Sequence, residues 1–194
     1  MLPEPLLVIK RLVELFGELQ IEYLIGGSVA SSLYGISRAT NDVDFVVDLK
    51  PETVPALVKA LEGEYYVDDE MILEAIETKS SCNVIHLTTM VKADFFIFQP
   101  TPWKKQAWER RRTQTITSEG EELSIQLASS EDMILQKLLW YRMGGGVSDR
   151  QWGDIQGMLK VQAPNLDFDY LHLWAADQRL TELLQKALTD AGLA

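Results

Sequence analysis

Cysteine occurs once in this chain, at Cys82, and histidine twice, at His86 and His172. One cysteine excludes an internal disulfide and any zinc site built on several thiolates. Cys82 sits in an apolar run and reads as a buried structural thiol, and both histidines, isolated among apolar neighbours, read as structural. Positive charge is also scarce. Eighteen Lys and Arg stand against 29 Asp and Glu, a formal net charge of −11. Such a balance repels a polyanion in bulk, so a nucleic-acid contact would need a local basic patch. No apolar run is long enough to span a bilayer, and Met1–Lys10 lacks the basic region and long apolar stretch of a signal peptide. The expected setting is cytoplasmic, away from membranes. What remains is ordinary globular material: 194 residues, 46% hydrophobic and 24% charged, without repeat, low-complexity tract or long linker.

Periodicity orders the chain. Pro3–Gln20 predicts a helix, with Leu6, Ile9, Val13 and Phe16 on one side. A short strand, Ile21–Ile25, ends at Gly26-Gly27, and a short helix, Ser28–Tyr34, follows with Gly35 as its C-cap. After the polar loop Ser37–Asn41 comes a second strand, Asp42–Leu49, then a helix opened by Pro51 and running to about Glu62. Asp69–Glu77 reads as helical, and Asn83–Thr88 and Val91–Phe98 as strands. Trp103–Arg112 fits a helix or an ordered loop. Thr113–Ser118 and Leu123–Leu127 form a hairpin around Glu119-Gly120. Helices are predicted at about Glu131–Met143, Asp149–Val161, Asp167–Ala176 and Arg179–Ala191. Ser129 is a candidate cap for the first, and Ser148 with Gln151 a capping box for the second. The pattern predicts an α+β fold, a mixed sheet with helices on one face followed by a C-terminal helical bundle. The expected division is a core over 1–127 and a helical region over 128–194 packed on it.

Three carboxylates stand out. Asp42 and Asp44, two apart in a strand, share a face, while Val43, Phe45 and Val47 take the other. Like charges side by side repel unless a cation lies between them, and a divalent metal is a usual solution. The bland readings are loop solvation or an exposed edge strand. Asp94 is a third acid, in mid-strand among aromatic and aliphatic residues, where acids are disfavoured without a partner or an open face. Its bland reading is a salt bridge, for instance to Lys92. If its strand lies beside that of Asp42 and Asp44, the acids converge and can hold two Mg²⁺ or Mn²⁺ ions, as in-line nucleotidyl transfer requires. Gly26, Gly27 and Ser28 lie between a strand and a helix, where backbone can approach an anion closely. A plain tight turn is the alternative.

Gly-Gly-Ser, then Arg-Ala-Thr-Asn-Asp-Val-Asp-Phe, then Val-Lys-Ala-Asp-Phe resembles the nucleotidyltransferase superfamily with a DNA polymerase β-like fold. The resemblance covers about the first half of the chain. It implies that Gly26, Gly27 and Ser28 bind the triphosphate of an NTP. It makes Asp42, Asp44 and Asp94 metal ligands and catalytic residues, with Asp94 also a candidate base. Within the superfamily the pattern is similar to AbiEii-type toxins and related uncharacterised bacterial proteins. Their later motif maps onto Glu131, Asp132, Lys137, Arg142, Asp149 and Asp154. The sequence departs from it at Ser148, where a basic residue commonly stands, and in the Gly144-Gly145-Gly146 loop. Lys137 lies on an apolar face with Met133, Ile134, Trp140 and Tyr141; it either snorkels or binds phosphate. Arg38 pairs with an acid or a phosphate, or is a surface arginine. Trp103–Arg112 is a basic island that either stacks and pairs with RNA or packs its tryptophans inward. Trp140, Trp152 and Trp174 read as core.

The expectation is therefore a metal-dependent nucleotidyltransferase. It would move NMP from an NTP to an acceptor hydroxyl on RNA or protein, in the role of a toxin with a cognate antitoxin protein or in phage defence. The alternatives are a non-catalytic nucleotide- or partner-binding protein of the same fold and a small-molecule (antibiotic) nucleotidyltransferase.

Overall fold

Alternation of apolar and polar residues decides how the strands pair. In the computed structural model, which describes residues 4–36, 40–118 and 120–193, β2 (Asp42–Val47) and β5 (Lys92–Ile97) run side by side in parallel. Val43, Phe45 and Val47 lie across from Ala93, Phe95 and Ile97, and all six are buried. Phe16, on α1 (Glu4–Glu18), closes an aromatic triangle with Phe45 and Phe95, at ring separations of 5.4 and 5.5 Å; the two strand rings are 5.9 Å apart, edge to face. Such pairs add about 0.5–1.5 kcal/mol each beyond their burial. A slip of one residue in either strand would turn that strand's apolar row to the opposite face. The triangle thus fixes which side chains occupy the opposite face.

The chain divides into two units, Met1–Val29 with Ala39–Leu127, and Ala30–Arg38 with Ala128–Ala194. The first holds a seven-stranded mixed sheet of order β3-β4-β5-β2-β1-β7-β6, where β1 is Tyr23–Ile25, β3 Tyr65–Tyr66, β4 Ser81–His86, β6 Arg112–Ser118 and β7 Glu121–Leu127. It also contains α3 (Val54–Leu61), α4 (Asp69–Thr78) and α5 (Pro102–Glu109). The α+β character expected from the pattern is present.

Several boundaries moved for local reasons. β1 is shorter than expected because the Ile21 N–H is spent on the Phe16 carbonyl at the end of α1, 2.8 Å away. β3 has two residues, too few to show alternation, and pairs antiparallel with β4. Residues 102–109 are helical rather than loop, with the Thr101 side chain accepting from the Lys104 amide as N-cap. The β6–β7 hairpin joins the sheet through one parallel pair, Ile25 with Leu127.

α2 (Gly27–Tyr34) starts in the first unit and ends in the second. The second unit contains α6 (Ser130–Met143), α7 (Asp149–Gln162), α8 (Phe168–Asp177) and α9 (Thr181–Ala191). Ser129 and Ser148 cap α6 and α7 as expected. The core of this unit includes Ile134, Leu135, Leu138, Ile155, Met158, Leu171 and Leu184, all fully buried. A Cβ on Gly35 would lie 2.9 Å from the Met158 amide nitrogen, so the glycine lets the end of α2 approach α7. Two predictions for aromatic and imidazole side chains need correction here. Trp140, Trp152 and Trp174 are half-buried, and His172 is on the surface of α8.

Candidate functional site

The face of the sheet opposite the aromatic triangle carries Asp42, Asp44 and Val46 of β2 beside Lys92, Asp94 and Phe96 of β5. Asp44 is directly across from Asp94, and Asp42 directly across from Lys92. Adjacent strands are about 4.8 Å apart, so Asp44 and Asp94 are neighbours by register. On the far side of Asp94, Asn83 of β4 completes the row. The Lys92 ammonium donates to Asp94 Oδ2 at 2.7 Å and stands 3.9 Å from Asp42 Oδ1. Its hydrogen bond to Asp94 raises the Lys92 pKa, helped by the charges of Asp94, Asp42 and Asp44 and opposed by burial. The side chains of Asp42, Lys92 and Asp94 are 56%, 37% and 19% exposed, so the row runs from open solvent into the sheet.

Gly26 and Gly27 follow β1 and meet this row from the side. The Gly26 N–H donates to the Asp44 carbonyl at 2.9 Å. Gly27 has φ +59°, and a Cβ there would lie 1.7 Å from Asp44 Oδ2 and 2.7 Å from Asp44 Cβ. The turn is glycine for two independent reasons: its backbone is left-handed, and the Asp44 carboxylate occupies the space a side chain would need. α2 starts at Gly27, with Ser28 in its first turn, and a helix start presents N–H groups that its own ladder does not use. Gly26 and Gly27 thus pack against Asp44, which lies beside Asp94 in the first unit.

The chemistry of this donor set suits a hard divalent cation. Ionised carboxylates offer only acceptor oxygens, and the row holds three of them beside the Lys92 ammonium. Among the described residues, however, no group of three His, Cys, Asp or Glu is gathered closely enough to chelate an ion. Among the described residues, Lys92 is a cation that stands between Asp94 and Asp42. The salt bridge that Lys92 offers Asp94 therefore forms, on the face that also carries Asp42 and Asp44.

Other expected residues lie elsewhere. Lys137 is in the second unit, buried on α6, its ammonium 2.7 Å from Asp154 Oδ2 of α7 with side chains 5% and 8% exposed. A phosphate contact by Lys137 would require it to leave that partner. Glu131 and Asp132 are also buried at the start of α6. The first accepts from the Asp167 amide at 3.0 Å; the second accepts from Ser129 Oγ and Tyr170 Oη, each at 2.7 Å. Arg142 donates to the Gln178 and Arg179 carbonyls, both at 2.8 Å. Arg38 lies outside the described residues. In the basic island, Trp103 and Trp108 are buried and Trp108 stacks on Phe98 at 4.4 Å, which takes both rings out of play as stacking platforms. Sequence reasoning did not single out Asn83. Its one signal is the polar alternation of β4, where Ser81 and Asn83 alternate with Cys82 and Val84.

Comparison with known proteins agrees with this architecture. A family model described as "Nucleotidyltransferase of unknown function (DUF6036)" matches residues 6–189. Among solved structures, an antigenic nucleotidyltransferase-like protein from Paracoccidioides brasiliensis is similar with a TM-score of 0.56 at 18% identity, covering 95% of this chain and 90% of its own. The antibiotic-resistance factor ANT(2'')-Ia is similar with a TM-score of 0.50 at 12% identity, covering 92% of each chain. At these identities the likeness is one of fold. No curated protein matches the sequence significantly. Among the described residues, no helix is long and apolar enough to cross a membrane.

Proposed function

We infer the reaction from the family: the chain belongs to the nucleotidyltransferases of unknown function grouped as DUF6036, and we propose that it moves NMP from an NTP to an acceptor hydroxyl with a divalent metal. The observation that carries this reading is the register of β2 and β5, which sets Asp44 against Asp94 while the Gly26-Gly27 turn closes on Asp44. Asp42, Asp44 and Asp94 are the residues that would hold Mg²⁺ or Mn²⁺. The metal supplies charge neutralisation on the triphosphate and a lowered pKa for the attacking hydroxyl.

The chain's own residues do the rest. The start of α2, with Ser28 in its first turn, presents N–H groups that orient the phosphate chain. Asp94, more enclosed than Asp42, takes the proton of the acceptor hydroxyl. The acceptor oxygen bonds to the α-phosphorus as the bond to the bridging oxygen breaks, and pyrophosphate leaves. The acceptor in this proposal is RNA or protein. The resemblance to AbiEii-type toxins supports that choice, and with it the role of a toxin held in check by a cognate antitoxin.

Incubation with α-labelled NTPs, Mn²⁺ or Mg²⁺, bulk tRNA and cell lysate tests the proposal, beside a variant carrying Asp42→Ala and Asp44→Ala. Label on tRNA or protein that the variant fails to transfer is the expected result. Label on a small molecule would overturn the acceptor assignment. No transfer with any NTP, while NTP still binds, would overturn the reaction.

A further inference from the structure

Lys92 presents the site with a problem that its bare carboxylates do not. Its ammonium is 2.7 Å from Asp94 and 3.9 Å from Asp42, on the face that would receive a metal. A monovalent cation already neutralises part of the acidic row, and its position across from Asp42 is fixed by the β2–β5 register. The backbone therefore cannot move it aside without breaking the sheet. The side chain can move: it is 37% exposed, carried on four rotatable carbons.

We propose that Lys92 is a resident counter-ion that competes with the metal, so that a divalent ion enters the Asp42–Asp44–Asp94 row only by displacing the Lys92 ammonium from Asp94. This rests on the metal-dependent reading above. Three physical consequences follow. The metal-free protein avoids the repulsion of three adjacent carboxylates. Metal affinity is lowered by the contact that must be broken. Nucleotide favours metal entry, because its phosphates bring ligands to the ion and an anionic partner for the released ammonium. Lys92 is a positioning residue in this account. It acts on the metal through Asp94.

Titration with Mn²⁺ alone, read by loss of the free-ion electron paramagnetic resonance signal, tests the idea without any turnover. The wild-type protein, Lys92→Met, Lys92→Arg, and Lys92→Met combined with Asp94→Asn are compared, with circular dichroism confirming the fold of each. Methionine keeps the length of the stem and removes the charge. Lys92→Met is expected to bind Mn²⁺ about tenfold more tightly than wild type, a change of about 1.4 kcal/mol. Lys92→Arg should stay near wild type, and the double variant should lose the gain. Repeating the titration with a non-hydrolysable ATP analogue should narrow the gap between wild type and Lys92→Met. Equal or weaker Mn²⁺ binding by Lys92→Met, with measurable binding by wild type, overturns the role of Lys92 and leaves the metal site standing. No Mn²⁺ binding by any of the four proteins, with or without the analogue, overturns the metal-dependent reading and this inference with it.

Discussion

Substitution of Gly27 by alanine is the sharpest perturbation of the site, because one added carbon meets two constraints at once. Alanine at φ +59° costs about 1–2 kcal/mol in backbone strain. The new Cβ would also lie 1.7 Å from Asp44 Oδ2, and ordinary contact begins near 3.4 Å. The carboxylate must therefore retreat by about 1.7 Å, the difference between those two distances. Rotation of the Asp44 side chain does not suffice, since its own Cβ would be 2.7 Å away. The turn and β2 have to separate, which stretches the 2.9 Å bond from the Gly26 N–H to the Asp44 carbonyl and loses about 1 kcal/mol more. The total, about 2–3 kcal/mol, corresponds to a fall in melting temperature of roughly 4–12 °C for a chain of this size. A displacement above 1 Å at a reacting centre costs about 10²-fold in rate, so label transfer from NTP should fall at least that far. Gly63→Ala is the control: it shares the left-handed backbone, at φ +84°, but has open space around the added carbon. It should lower the melting temperature by a few degrees and leave transfer unchanged. Wild-type transfer by Gly27→Ala, or equal loss of transfer by Gly63→Ala, would refute the coupling of the turn to Asp44.

Phe45→Ala removes the ring shared with Phe16 and Phe95 and should cost about 3–5 kcal/mol in urea-denaturation stability; a loss below 1 kcal/mol would show that the triangle does not hold the register. Lys137→Met leaves Asp154 as a buried carboxylate without its ammonium and should cost about 3–5 kcal/mol, while Lys137→Met with Asp154→Leu should recover most of that. Failure of the double variant to recover would show that the pair is not the chief partner of either side chain. Burial, with the Asp94 charge second, pushes the Cys82 thiol up to about 11 from 9.0. At pH 8 the folded protein should therefore react with iodoacetamide about 100-fold more slowly than the unfolded chain. The raised value means that the unfolded chain loses the proton first. The contribution to stability is thus present below pH 9 and is lost as pH rises from about 9 to 11. Chemical denaturation across that window should show a fall that Cys82→Ala reduces.

The sheet's inner face was legible because two six-residue strands each alternate cleanly, and an acid among aromatics marks the row that cannot be buried. Pairing partners were harder. Nothing in Tyr23–Ile25 tells that its far edge accepts Leu127, because a single parallel pair leaves no periodic trace. The Trp103–Arg112 segment was ambiguous for a different reason. Its charges suit either a solvated helix or a nucleic-acid surface, and only the burial of Trp103 and Trp108 selects the first for the rings.

At the site, composition alone invites the question of what neutralises Asp42, Asp44 and Asp94. The alternation of β5 already places Lys92 on the same face as Asp94, so a salt bridge and a metal site compete as explanations when read from the sequence. In the structure the salt bridge forms, on the face that would receive a metal under the proposal above. A lysine two residues before an acid in a strand must share its face, and parallel register then sets it against Asp42. An ion pair at this position is therefore no argument against a metal. It is an arrangement that offsets the repulsion of an acidic row, and under the proposal above the strength of the Lys92–Asp94 contact would set how readily a metal enters.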